Sequence, residues 1–162
     1  MPHSFEFTNN LSPAQSNALR GHTVVLFDGV CALCNRTIRF LIQRDRTAQL
    51  VFIPLDTPLA RMLLSRHPHL PQTLAEIKSV IVLQHLFTPR EQALERTTAV
   101  LAGMSALPAP WPILAAALRI IPRPLRDLGY RFIAHFRYRL FGRFDTCPIP
   151  TPAERSRILS TG

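Results

Sequence analysis

Thr23-Val24-Val25-Leu26-Phe27-Asp28-Gly29-Val30-Cys31-Ala32-Leu33-Cys34 is the stretch that decides the fold. The apolar and β-branched run from Thr23 to Phe27 reads as a short buried strand, and Asp28-Gly29 turns the chain. The two cysteines then open a helix, because Ile38, Leu41 and Ile42 fall on one face of the following run while Arg36, Arg39 and Arg44 fall largely elsewhere.

A thiol in the first turn of a helix meets unpaired backbone N–H groups and the positive end of the helix dipole, both of which favour thiolate over thiol. Cys31, nearer the turn, is expected to be the more exposed and the more acidic of the pair. Cys34 lies one turn further in, close enough to close a small disulfide ring. One sulfur can therefore attack a partner and the other displace it. Two other readings of the same cysteines stay open: small buried structural thiols, or half of a zinc site. The second needs about four ligands, and no second CxxC or close His pair supplies the remainder.

Asp28 has opposing effects. Its charge would raise the pKa of Cys31, while the helix terminus and Arg36 would lower it. It could relay a proton to or from Cys34 during exchange, or serve as a turn residue bonding nearby N–H groups. A strand ending in Asp-Gly also suggests a haloacid-dehalogenase-like phosphatase, but the nucleophilic Asp which that reading needs two residues earlier is Leu26.

The string Phe27-Asp28-Gly29-x-Cys31-x-Leu33-Cys34, with the basic helix after it, resembles the DCC family of thiol-disulfide oxidoreductases. So do Ile121-Pro122-Arg123-Pro124-Leu125-Arg126-Asp127, Tyr130, Arg137-Tyr138-Arg139-Leu140-Phe141-Gly142-Arg143 and Cys147-Pro148. The resemblance spans residues 23 to 150. It implies an α/β, thioredoxin-like fold, a small sheet flanked by helices, with an extra C-terminal helical segment. It also implies thiol-disulfide exchange with a protein or small-thiol partner, with Cys31 and Cys34 as the redox pair and Asp28 beside them.

Composition sets the frame. The 162 residues suit one domain able to bury a core without staples. Three cysteines argue against a secreted disulfide framework, and the first residues carry neither a basic n-region nor an apolar h-region, so a reducing cytoplasm is expected. No metal, flavin or nucleotide is expected, since no glycine loop suited to phosphate is present. The net charge of +9 rests almost wholly on arginine, Lys78 being the sole lysine. Such a surface suits anionic lipid, nucleic acid or acidic partners, or is a solvated basic face; nucleic acid is the less expected partner. The alternative function is a non-catalytic basic module with structural cysteines.

Outward from the cysteines, residues 1–22 read as a mobile or loosely docked tail and 151–162 as a frayed one, leaving 23–150 as the domain. Leu50–Leu55 is a second strand, which makes a parallel βαβ unit with the CxxC at the carboxyl end of its first strand. A helix from Pro58 ends near His67-Pro68-His69, two histidines in an exposed exit. Ser79–Leu83 is the third strand and Leu86–Thr88 a hairpin partner for it. Glu76-Ile77-Lys78-Ser79 precede the third strand where thioredoxins place a cis-proline, so the usual backbone groove for substrate is not expected.

Glu91–Leu107 reads as a helix and Trp111–Ile121 as a short core or interfacial helix, too brief to cross a bilayer. The last helix starts at Pro124. Its stripe of Leu125, Leu128, Phe132, Phe136 and Leu140 is expected to pack on the core with its arginines outward, although a basic amphipathic helix at a membrane surface has the same pattern. Cys147 could be a third redox thiol or ligand, or a packed cysteine in an irregular tail.

Overall fold

The computed structural model describes residues 13–73, 76–77, 79–146, 148, 151–152 and 154–159. Ten elements follow in order: α1 (Pro13–Leu19), β1 (Thr23–Phe27), α2 (Ala32–Arg44), β2 (Leu50–Pro54), α3 (Pro58–Ser65), β3 (Ile81–Gln84), β4 (Gln92–Glu95), α4 (Arg96–Ser105), α5 (Trp111–Arg119) and α6 (Arg123–Phe141). The strands form one mixed sheet in the order β2-β1-β3-β4. β1 runs parallel to β2, with Thr23 beside Leu50 and Phe27 beside Pro54. It runs antiparallel to β3, which pairs antiparallel with β4. This is the α/β thioredoxin-like arrangement, with helices on both faces of a small sheet.

Alternation along β1 builds two cores. Val24 and Leu26 point to one side, where Leu59, Leu63 and Leu64 of α3 cover them. Val25 and Phe27 point to the other, against Ile38 of α2 and Ala99 and Ala102 of α4. Phe52 of β2 is fully buried in that second layer, so its truncation to Ala would cost about 3–5 kcal/mol. α3 starts where expected: Thr57 accepts the Ala60 N–H at 3.2 Å and Pro58 occupies the first turn.

Several expectations are corrected. The partner of β3 is Gln92–Glu95 rather than Leu86–Thr88, and the helix expected from Glu91 begins only at Arg96. Leu86 is fully buried, but between His85 and Phe87, both in the left-handed region, which makes it the plug of a turn and not a strand residue.

The tails are docked over the described residues. Gly21 N–H donates to Leu86 O at 2.9 Å and Leu19 is buried. At the other end Ile158 forms a parallel bridge with Phe52, and Phe52 N–H donates to Arg157 O at 2.8 Å. Arg157 is also ion-paired with the fully buried carboxylate of Asp45, so this segment is an edge cover for β2.

The largest departure is α6. Its expected core stripe faces solvent: Leu125, Leu128, Phe132 and Leu140 are each more than half exposed. The side chains turned inward are polar. Asp127 accepts a hydrogen bond from Thr97 of α4, Tyr130 accepts the Val80 N–H at 3.0 Å, and Arg137 reaches Asp28. α6 is thus held by hydrogen bonds on one face and leaves its apolar face uncovered.

Candidate active site

Cys31 is the N-cap of α2, with extended backbone angles, and its Sγ accepts the Cys34 N–H at 3.2 Å. The turn before it is fixed by two side chains. Asp28 Oδ1 accepts the Val30 N–H at 3.1 Å, and Asn35 Nδ2 donates to the carbonyls of Gly29 (2.6 Å) and Cys31 (3.0 Å). A residue that caps with sulfur offers the helix a better partner when ionised, so local folding and thiol acidity are linked.

The exposure expected of the pair is reversed. Cys31 is fully buried and Cys34 is only partly so. The cover on Cys31 is backbone from beyond α6: Cys31 and Arg143 form an antiparallel bridge, Ala32 N–H donates to Gly142 O at 3.3 Å, and Phe144 N–H donates to Val30 O at 2.8 Å. Residues 142–144 therefore lie as a strap across the Cys31 turn.

Inside, the two thiols are set far apart in acidity. The Cys34 thiol, hydrogen-bonded to Cys31, brings the Cys31 pKa down to about 7 against the opposing effect of burial; the Cys34 N–H and the Arg137 charge help, and the Asp28 charge resists. The same bond, followed by burial, pushes Cys34 strongly up. The cation responsible is Arg137 from α6, not the expected Arg36, which is exposed on α2. Arg137 donates to Asp28 Oδ2 at 3.0 Å, and the Tyr138 hydroxyl makes a short hydrogen bond to the same oxygen. Asp28 is thus both the turn residue and the anchor of a cluster that sequence spacing alone does not reveal.

Beside Cys34 lies an apolar cavity of about 270 Å³, walled by Val80, Met104 and Trp111 with Tyr130 and Arg137 also lining it. The backbone just ahead of β3, where a thioredoxin-like partner strand would pair, has its Val80 N–H already engaged by Tyr130. His67, half of the histidine pair in the α3 exit, is buried against Glu91 at 2.9 Å. Cys147 lies outside the described residues.

The chain is 32% identical over 136 residues to the uncharacterized protein YuxK of Bacillus subtilis, which covers 84% of this chain and 93% of that one. It is 33% identical over 126 residues to a chloroplastic DCC family protein of Arabidopsis thaliana, covering 78% of this chain and 69% of the relative. No solved structure matches the chain. The family model for DCC1-like thiol-disulfide oxidoreductase matches residues 25–143, from the middle of β1 to the strap. The chain belongs to the DCC1-like thiol-disulfide oxidoreductase family.

Proposed function

We propose that the protein exchanges disulfides with a protein or small-thiol partner through Cys31 and Cys34. Cys31 thiolate attacks one sulfur of the partner disulfide, forming a mixed disulfide and releasing the other partner sulfur as a thiolate that takes up a proton. Cys34 then loses its proton, attacks Cys31 Sγ and closes the intramolecular disulfide, freeing the second partner thiol. The partner gains two electrons and two protons, the electrons coming from the cysteine pair, one proton from Cys34 and the other from solvent; the reverse sequence oxidises a dithiol.

The observation that carries this reading is the geometry of the pair: Cys31 caps α2, and its Sγ accepts the N–H of Cys34, whose own thiol lies one helical turn away. A nucleophile must be ionised near neutral pH, and its resolving partner must hold its proton until the mixed disulfide forms. Asp28, fixed by Arg137 and Tyr138, positions the turn and tempers the thiolate; in this reading it also relays the resolving proton. The strap must lift for the attack. The apolar cavity beside Cys34 favours partners that present an apolar group next to the disulfide. A reducing compartment such as the cytoplasm suits a dithiol poised in this way.

The test is redox titration with trapping. The pair should show a reversible two-electron couple within the span of thioredoxin-like proteins, about −270 to −120 mV. Cys34→Ser should retain partners as mixed disulfides on Cys31, identifiable by mass spectrometry. Absence of both the couple and the adducts would leave the cysteines structural.

A further inference from the structure

We propose that the outer face of α6, together with Ile120 just before it, docks on an anionic membrane surface and lies in the plane of the interface. Among the described residues, every large hydrophobic side chain that is markedly exposed falls between Val100 and Phe144. On α6 they recur at helical spacing, Leu125, Leu128 and Phe132 at 61%, 58% and 65% exposure with Leu140 at 66%, and Ile120 precedes them at 84%. The 19 residues of α6 make a rod about 28 Å long. A monomeric soluble protein rarely leaves so continuous an apolar stripe uncovered, so the stripe requires an occupant.

Charge identifies the occupant. From Trp111 to Phe144 the sequence carries seven arginines and a single acid, Asp127, which is buried against α4. Arg131 and Arg139 stand exposed beside the apolar stripe, where their stems can lie along acyl chains and their guanidinium groups reach phosphate. A second copy of this chain would bring the same cationic face against itself, and like charges at close range oppose that pairing. Nucleic acid would satisfy the arginines but leave leucine and phenylalanine at the contact unpaired with anything apolar. An anionic bilayer satisfies both. No helix among the described residues is long and apolar enough to cross a membrane, so the contact is peripheral.

The experiment is co-sedimentation of the full chain with vesicles of pure phosphatidylcholine and with vesicles containing a third phosphatidylglycerol, at low and high salt. Binding is expected on the anionic vesicles, weakened by salt. The Leu128→Glu/Phe132→Glu double variant should lose roughly tenfold or more in affinity. Arg131→Gln and Arg139→Gln should each lose about fivefold at low salt and flatten the salt dependence.

These side chains touch neither cysteine, so Cys31 alkylation and far-UV circular dichroism should be unchanged, which separates a docking defect from misfolding and from failure of the redox reading. The proposal is overturned by absence of binding to anionic vesicles, or by binding that the double glutamate variant leaves intact. It is equally overturned by a solution dimer that the double variant dissociates, or by nucleic-acid binding without vesicle binding.

Discussion

Arg137 of α6 donates to Asp28 at 3.0 Å across 109 residues of chain, and the same guanidinium lowers the pKa of Cys31. The Cys31 turn is therefore completed electrostatically by a helix that is not part of the sheet's own βαβ and hairpin units. Arg137→Gln removes the cation and leaves the Asp28 carboxylate facing the thiol with less compensation. The Cys31 pKa should rise by about one unit, taking the thiolate fraction at pH 7 from about half to about a tenth. Alkylation by iodoacetamide followed against pH would show the displaced midpoint and a several-fold slower rate at neutrality.

The hydrogen bond from Cys34 is the largest cause of Cys31 acidity, and its loss should be separable from loss of the second redox sulfur. Cys34→Ala should move the Cys31 midpoint upward from about 7. Cys34→Ser, which keeps an O–H donor at the same place, should hold it lower than alanine does. Identical midpoints in the two variants would mean that the side-chain donor is irrelevant.

Gly142 adopts φ 87° and ψ 170°, a region essentially reserved for glycine, at the point where α6 hands over to the strap. Beyond its two chain neighbours nothing lies within 4 Å of where its Cβ would be, so the cost of a side chain there is backbone strain rather than collision. Gly142→Val should lower stability by about 1–3 kcal/mol and loosen the cover. Dithiobis(nitrobenzoate), too bulky to pass the closed strap, should then react several-fold faster with Cys31 while the pH midpoint changes little.

Glu91 gathers Arg66, His67 and the Phe87 N–H around one carboxylate. Burial alone would raise its pKa, but the bonds from Arg66, Phe87 and His67 together lower it. A carboxylate with a lowered folded-state pKa stabilises the fold above its ordinary titration range, near pH 4.3, and loses that contribution as pH falls through the folded-state value. Glu91→Gln should cost about 1–3 kcal/mol at pH 7 and progressively less below pH 4, as thermal melts across that interval would show.

Where local pattern and chemistry coincide, the sequence was readable. β1, the turn at Asp28-Gly29 and α2 are specified by short-range alternation, turn residues and a capping position. β4 escapes local pattern because Gln-Ala-Leu-Glu has little strand character of its own and is held there by pairing with β3, whereas apolar Leu86 has the composition of strand but plugs a left-handed turn.

The α6 stripe illustrates a different limit. Its period correctly gave a helix, but periodicity carries no sign, and here Asp127, Tyr130 and Arg137 take the inward side through partners distant in sequence. For the same reason Arg137, Tyr138 and the strap could not be assigned to the cysteines from spacing. The reversed exposure of Cys31 and Cys34 follows from that strap.

Cys31, Cys34 and, among the described residues, all four strands precede residue 106, yet what shields Cys31 comes after it. A shortened protein ending at α4 would keep the dithiol while losing Arg137, Tyr138 and the backbone that roofs Cys31. Such a fragment would present its sulfur to peroxide as readily as to a disulfide, and drift toward sulfinic acid. On the proposed reading, discrimination between cognate and accidental oxidants rests on the final third of the polypeptide.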